Sequence, residues 1–133
     1  MGEARGRRSV IFVDGSMPRS VADELKAIGK DAIAKIELFP DGTKDPVWLR
    51  KVGENGWLAI TRDVNIRFRP GEKQAIIDHR VGCFIFTYKN SMKKSEIVEL
   101  VLKHIEKMEK AFATTRRPFI YTIATDGQLR KYV

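Results

Sequence analysis

Val10-Ile11-Phe12-Val13-Asp14-Gly15-Ser16 is the segment from which the fold is read. Four consecutive apolar residues, three of them β-branched, form a strand buried on both faces, and the run stops at a polar Asp-Gly-Ser turn. A strand covered on both sides belongs in a parallel sheet with helices above and below. The next residues agree: Pro18 suits a first helical turn, Val21, Leu25 and Ile28 recur at helical spacing, and Gly29 closes the segment.

Further along, Ala32 to Phe39 alternates as a second strand, and Pro40-Asp41-Gly42 reads as a turn. Asp45 then reads as an N-cap with Pro46 at the first helical position, and Val47, Trp48, Leu49 and Val52 give a helix that ends at Gly53 or Gly56. Trp57 to Thr61 is a third strand, ending at Arg62-Asp63. A helix from Glu72 to Arg80, ended by Gly82, leads to a fourth strand, Cys83 to Tyr88. The longest helix opens within Ser91 to Ser95 and carries Ile97, Val101, Ile105, Met108 and Phe112 on one stripe; Phe119 to Ile123 is a fifth strand. Gly127 to Val133 reads either as a short terminal strand or as a free end. This alternation predicts an α/β fold, a three-layer α/β/α arrangement around a central, mostly parallel sheet of four to five strands.

The 133 residues fit one domain, expected over 9–133 behind a flexible basic N-terminus at 1–8. A 43% hydrophobic content is enough to bury a core, and the longest apolar runs are far too short to span a bilayer, so no membrane partner is expected. Met1 to Arg8 is positively charged but leads straight into the first strand, not into a signal-peptide apolar region. The lone cysteine, Cys83, excludes an internal disulfide and a cysteine-based zinc site, which fits a reducing, cytoplasmic setting. With 25 Lys and Arg against 17 Asp and Glu, the formal charge is +8, a field that attracts phosphates.

In an open parallel sheet, ligands bind beyond the carboxyl ends of the strands where the winding reverses. Asp14 lies just past the first strand, Asp63 just past the third, and Asp45 starts the helix that runs back into the third. Each has a structural alternative: Asp14 as a cap for the next helix, Asp45 as a cap for its own, Asp63 as a loop acid. Together they make a crowded carboxylate edge, the setting that a divalent cation with hard oxygen ligands neutralises, Mg²⁺ or Mn²⁺. Arg67, Arg69 and Lys73 come directly after Asp63, cations suited to a phosphate backbone. A metal at the centre with arginine at the rim is the logic of a nuclease. His79, His104, Cys83, Trp48 and Trp57 read as structural residues.

In these residues and their order, the chain resembles a PIN-domain protein, specifically the VapC-type toxin branch of toxin-antitoxin systems. Three stretches carry the resemblance: Ile11-Phe12-Val13-Asp14 with Met17-Pro18, Asp45-Pro46-Val47-Trp48-Leu49, and Leu58-Ala59-Ile60-Thr61-Arg62-Asp63 with Arg69-Pro70-Gly71-Glu72. The similarity covers about residues 9 to 125. It implies that Asp14, Asp45 and Asp63 are metal-binding carboxylates and that the Thr61 hydroxyl supports them. Two positions depart from the pattern. Gly15 stands where many relatives have a second acid, and Asn65 stands where many read Thr-x-Asp-x-Asp; Asn65 can offer its carbonyl oxygen, and Glu72 is a candidate substitute acid.

The resemblance implies a metal-dependent endoribonuclease acting on single-stranded RNA, the toxin of a type II pair, held inactive by a small antitoxin protein and often a homodimer, with Arg67 and Arg69 on the RNA backbone. The alternative is a catalytically weakened PIN-like module that binds RNA or protein, for which Gly15 and Asn65 speak. A receiver-type phosphoryl acceptor is a third class, disfavoured by Gly15 beside Asp14 and by the charge.

Overall fold

A computed structural model describes residues 9–132; the basic segment 1–8 and Val133 lie outside the described residues. Six strands form one sheet: β1 (Ile11–Val13), β2 (Ala32–Ala34), β3 (Leu58–Thr61), β4 (Gly82–Thr87), β5 (Phe119–Ala124) and β6 (Leu129–Lys131). Their order across the sheet is β2-β1-β3-β4-β5-β6, and every pairing is parallel except β5 with β6. Among the described residues the sheet therefore has six strands where four to five were expected, the extra one being the short antiparallel edge within Gly127 to Val133, the stretch that reads from sequence as either a terminal strand or a free end.

The helices are α1 (Ser20–Ala27), the single turn α2 (Lys35–Leu38), α3 (Asp45–Asn55), α4 (Pro70–Asp78) and α5 (Lys94–Thr114). Strand residues alternate between two cores. Ile11, Val13, Leu58, Ile60, Phe84 and Phe86 face α1 and α5, whereas Phe12, Ala59, Cys83, Ile85 and Ile120 face α3 and α4. This is the three-layer α/β/α arrangement read from the sequence, with β1 reaching complete burial on both faces at Ile11 and Phe12.

Three local readings are corrected. The alternating run from Ala32 is a strand only to Ala34, because Glu37 folds back to accept the Ala34 amide N–H at 2.7 Å and starts a helical turn. That amide holds the Glu37 carboxyl below its usual range. Asp45 is the first residue of α3, not its cap; Lys44 holds the cap position, and the carboxylate is left for other partners. Gly82 does not end α4. The chain turns at Arg80, which adopts φ 55°, and Gly82 opens β4 under the rings of Phe119 and Phe112, where a Cβ would lie 2.7 and 2.8 Å from ring carbons.

The α3–α4 contact is equally close. A Cβ on Gly53, near the end of α3, would lie 2.1 Å from the carbonyl oxygen of His79, the residue that ends α4. The two helices lie side by side with their N-termini at the carboxyl edge of the sheet, because each runs antiparallel to the strands it covers. The winding reverses between β1 and β3, so Asp14 and Asp63 leave their strands at the switch point.

Candidate active site

Asp14 ends β1, and its backbone N–H still donates to the Ile60 carbonyl of β3, which fixes it against its neighbour strand. The residue is 6% exposed. One carboxylate oxygen, Oδ2, accepts from the Thr61 hydroxyl at 2.7 Å and from the Ser16 hydroxyl at 2.7 Å. The two hydroxyl oxygens stand 3.0 Å apart. Thr61 Oγ1 also accepts the Asp63 N–H at 3.0 Å, and Ser16 Oγ accepts the Arg62 N–H at 2.9 Å. Two hydroxyls thus tie the end of β1 to the end of β3 and give the buried Asp14 side chain two donors on one oxygen.

Asp63 is the cap of a short 3-10 turn, Val64–Arg67, and its Oδ1 accepts the Asn65 N–H at 3.2 Å. Arg69, immediately before α4, clasps the same carboxylate with both terminal nitrogens, at 2.7 Å to Oδ2 and 3.2 Å to Oδ1. These hydrogen bonds raise the pKa of the guanidinium further. The nitrogen that meets Asp63 at 2.7 Å also lies 3.6 Å from Oδ2 of Asp45. Asp45 Oδ1 accepts from the indole N–H of the fully buried Trp48 at 2.8 Å. All three sequence-predicted carboxylates therefore meet at one edge, and their charges act on the same buried thiol: burial first, then Asp14, Asp45 and Asp63, drive the pKa of Cys83 well above the ordinary thiol value.

Asp14 and Asp63 open on a cavity of about 570 Å³, also lined by Ser16, Asn65, Arg69 and Tyr88. Arg62 flanks it: the guanidinium lies 4.4 Å over the Tyr88 ring and donates to the Asn90 side-chain oxygen. Burial pushes the Tyr88 phenol up, with Arg62 opposing. Thr61 is in the site as expected. Asn65 lines the cavity, while Glu72, in the first turn of α4, is absent from its walls and acts on Arg69 through its charge. Arg69 is spent on the carboxylates. Arg67 turns away toward β6, its Cζ 4.4 Å from the Tyr132 ring centre.

Sequence reasoning missed Ser16, Arg62, Tyr88 and Asn90. Only Ser16 had a local signal, a hydroxyl two residues after an acid that closes on it; the others arrive through the β3 and β4 ends.

Oxygen donors of three carboxylates suit a hard divalent cation in type. Asp14 retains Oδ1 for one, but the Arg69 guanidinium stands where an ion between Asp45 and Asp63 would sit. Among the described residues, no group of three or more His, Cys, Asp or Glu side chains is arranged as a metal cradle.

A family model described as a PIN like domain matches residues 9–88, the stretch from β1 through β4 that contains Asp14, Asp45 and Asp63. No curated protein and no solved structure matches the chain. Among the described residues, no helix is long and apolar enough to cross a membrane.

Proposed function

The chain belongs to the PIN-like domain family, whose fold is of nuclease type, and from that premise we propose that it is a metal-dependent endoribonuclease, the VapC-type toxin of a type II toxin-antitoxin pair. The observation that carries this reading is the buried Asp14 carboxylate, held on one oxygen by Thr61 and Ser16 and sharing its sheet edge with Asp45 and Asp63. Asp14, Asp45 and Asp63 would hold Mg²⁺ or Mn²⁺, which when bound supplies a water of lowered pKa and neutralises charge on the phosphodiester. Thr61 and Ser16 hold the Asp14 carboxylate in place at the cavity wall. Arg69 holds Asp63 and Asp45 together, and the +8 charge gathers RNA. A small antitoxin would silence the site by covering this cavity, and a homodimer belongs to the same reading.

One observation favours the alternative, an RNA- or protein-binding module that does not cut: the guanidinium of Arg69 already compensates two of the three carboxylates. The deciding experiment incubates wild type and Asp14→Asn with single-stranded RNA, in Mg²⁺ or EDTA, with circular dichroism to monitor folding. Metal-dependent cutting lost in Asp14→Asn supports the nuclease. Binding without cutting across a broad RNA panel supports the module.

A further inference from the structure

Three cavities adjoin one another, two at the carboxyl edge of the sheet and the third running from that edge down the face of β5 and β6, where the Tyr132 N–H donates to the Ile120 carbonyl. The 570 Å³ cavity over Asp14 and Asp63 shares Val64 and Tyr88 with a second of about 700 Å³, whose walls include Lys89 and Glu96. The second shares Thr87 with a third of about 590 Å³, walled by Arg67, Arg130, Gln128 and Tyr132. The path runs from β3 to β6, three strand spacings or roughly 14 Å.

At its far end the chemistry changes from acidic to cationic and aromatic. The Arg67 guanidinium lies between two rings, 4.6 Å from the centre of Phe68 and 4.4 Å from that of Tyr132, and Arg130 lies 5.7 Å from the Tyr132 ring. Arg67 Nε is buried without a hydrogen-bond partner, so the side chain is held there by its ring contacts. Phe68 is 63% exposed, the most open large apolar residue on the described surface, and Tyr132 is 41% exposed. An exposed Phe gains nothing for the core. Set against Arg67 beside a groove that Arg130 also lines, it has the make-up of a platform on which an unpaired base stacks while the cations take the phosphates.

We propose that Phe68, Arg67 and Tyr132 form a base-stacking subsite for single-stranded RNA, at the far end of a track that begins at Asp14 and Asp63. The subsite rests on the RNA-cutting function proposed for the chain, and it separates two tasks across the sheet: chemistry at the β1–β3 switch point, grip over β5 and β6. DNA of the same sequence shares the stacking chemistry without the 2′-hydroxyl and serves as a comparison probe.

The test is fluorescence anisotropy with labelled oligo(U) and oligo(A) in EDTA, so that binding is read without cleavage, with an abasic oligonucleotide of equal length alongside. Phe68→Ala is expected to weaken binding to the base-bearing probes about tenfold, to leave the abasic probe unchanged, and to be restored by Phe68→Trp. Its salt dependence should match wild type, whereas Arg130→Ala should lower the slope by about one. Circular dichroism reports folding of each variant. Unaltered binding in Phe68→Ala, equal loss on the abasic probe, or no binding of any probe by wild type overturns the subsite. If Phe68→Ala loses binding while Asp14→Asn still cuts, the subsite stands and the catalytic assignment fails.

Discussion

The indole N–H of Trp48, buried against Phe12 at a ring separation of 5.2 Å, donates to the Asp45 carboxylate at 2.8 Å. A core residue thereby positions a site residue. Trp48→Phe keeps much of the apolar volume and deletes that donor, so stability should fall by only about 1–2 kcal/mol in urea unfolding. If the chain cuts RNA as proposed, cleavage should fall by more than that loss of folded protein explains, since Asp45 would no longer be held with its other oxygen toward Arg69.

Thr61 serves two partners with one hydroxyl, donating to Asp14 and accepting from the Asp63 amide. Thr61→Val leaves the shape and removes the hydroxyl, stranding a buried carboxylate lone pair and an amide. The expected cost is about 1–3 kcal/mol, measured as a shift of the urea midpoint at constant m-value, and Thr61→Ser should recover much of it.

If Asp45 and Asp63 hold a divalent cation as proposed, Arg69 competes with it for the same oxygens. Arg69→Ala should tighten Mn²⁺ binding several-fold in titration calorimetry, because carboxylates left uncompensated attract an ion more strongly. The same variant should bind RNA more weakly, through the rise in negative charge at the cleft. Unchanged Mn²⁺ affinity would identify the arginine as a support for the carboxylates and not a competitor of the cation.

Cys83 is fully buried, and its thiol pKa is raised by burial and then by the three carboxylates. In the native protein the thiol should resist an aromatic disulfide reagent and react at once when unfolded in urea. Above about pH 8.5 the unfolded chain releases this proton while the folded chain keeps it. Stability from this group is complete below that pH and declines as pH rises beyond it, which urea midpoints between about pH 7 and 10 would measure.

Much of the architecture was legible because buried parallel strands are written as uninterrupted apolar runs. Ile11–Val13, Leu58–Thr61 and Gly82–Thr87 are such runs, and the acids that end the first and second of these mark the switch point. The Ala32–Phe39 misreading has a definite cause: alternation favoured a strand, and a side chain three residues on, Glu37, diverted the backbone. Within the site, Asp14, Asp63 and Thr61 could be found by their place at strand ends. Asp45 was found as a helix start, although its partners are Trp48 and Arg69 rather than its own backbone. The pairing of Arg69 with two acids and the Phe68–Arg67–Tyr132 stack depend on which way neighbouring side chains turn, and on β6 returning beside β5. Neither is recorded in local pattern.

The near contact of Gly53 with the His79 carbonyl sets the spacing of α3 and α4 at the end remote from the cavity. Asp45 and Arg69 stand at the other ends of those same two helices, in the case of Asp45 eight residues away, or about 12 Å along the axis. The pair works as a lever: a methyl group inserted at Gly53 wedges the helices far from the Asp14 cavity and changes the separation of an acid from its cation at the opposite end. Genetic screens for loss of activity should therefore recover substitutions at position 53 that leave every polar group of the cavity in place, and suppressors of them should be shortened side chains along the α3–α4 seam.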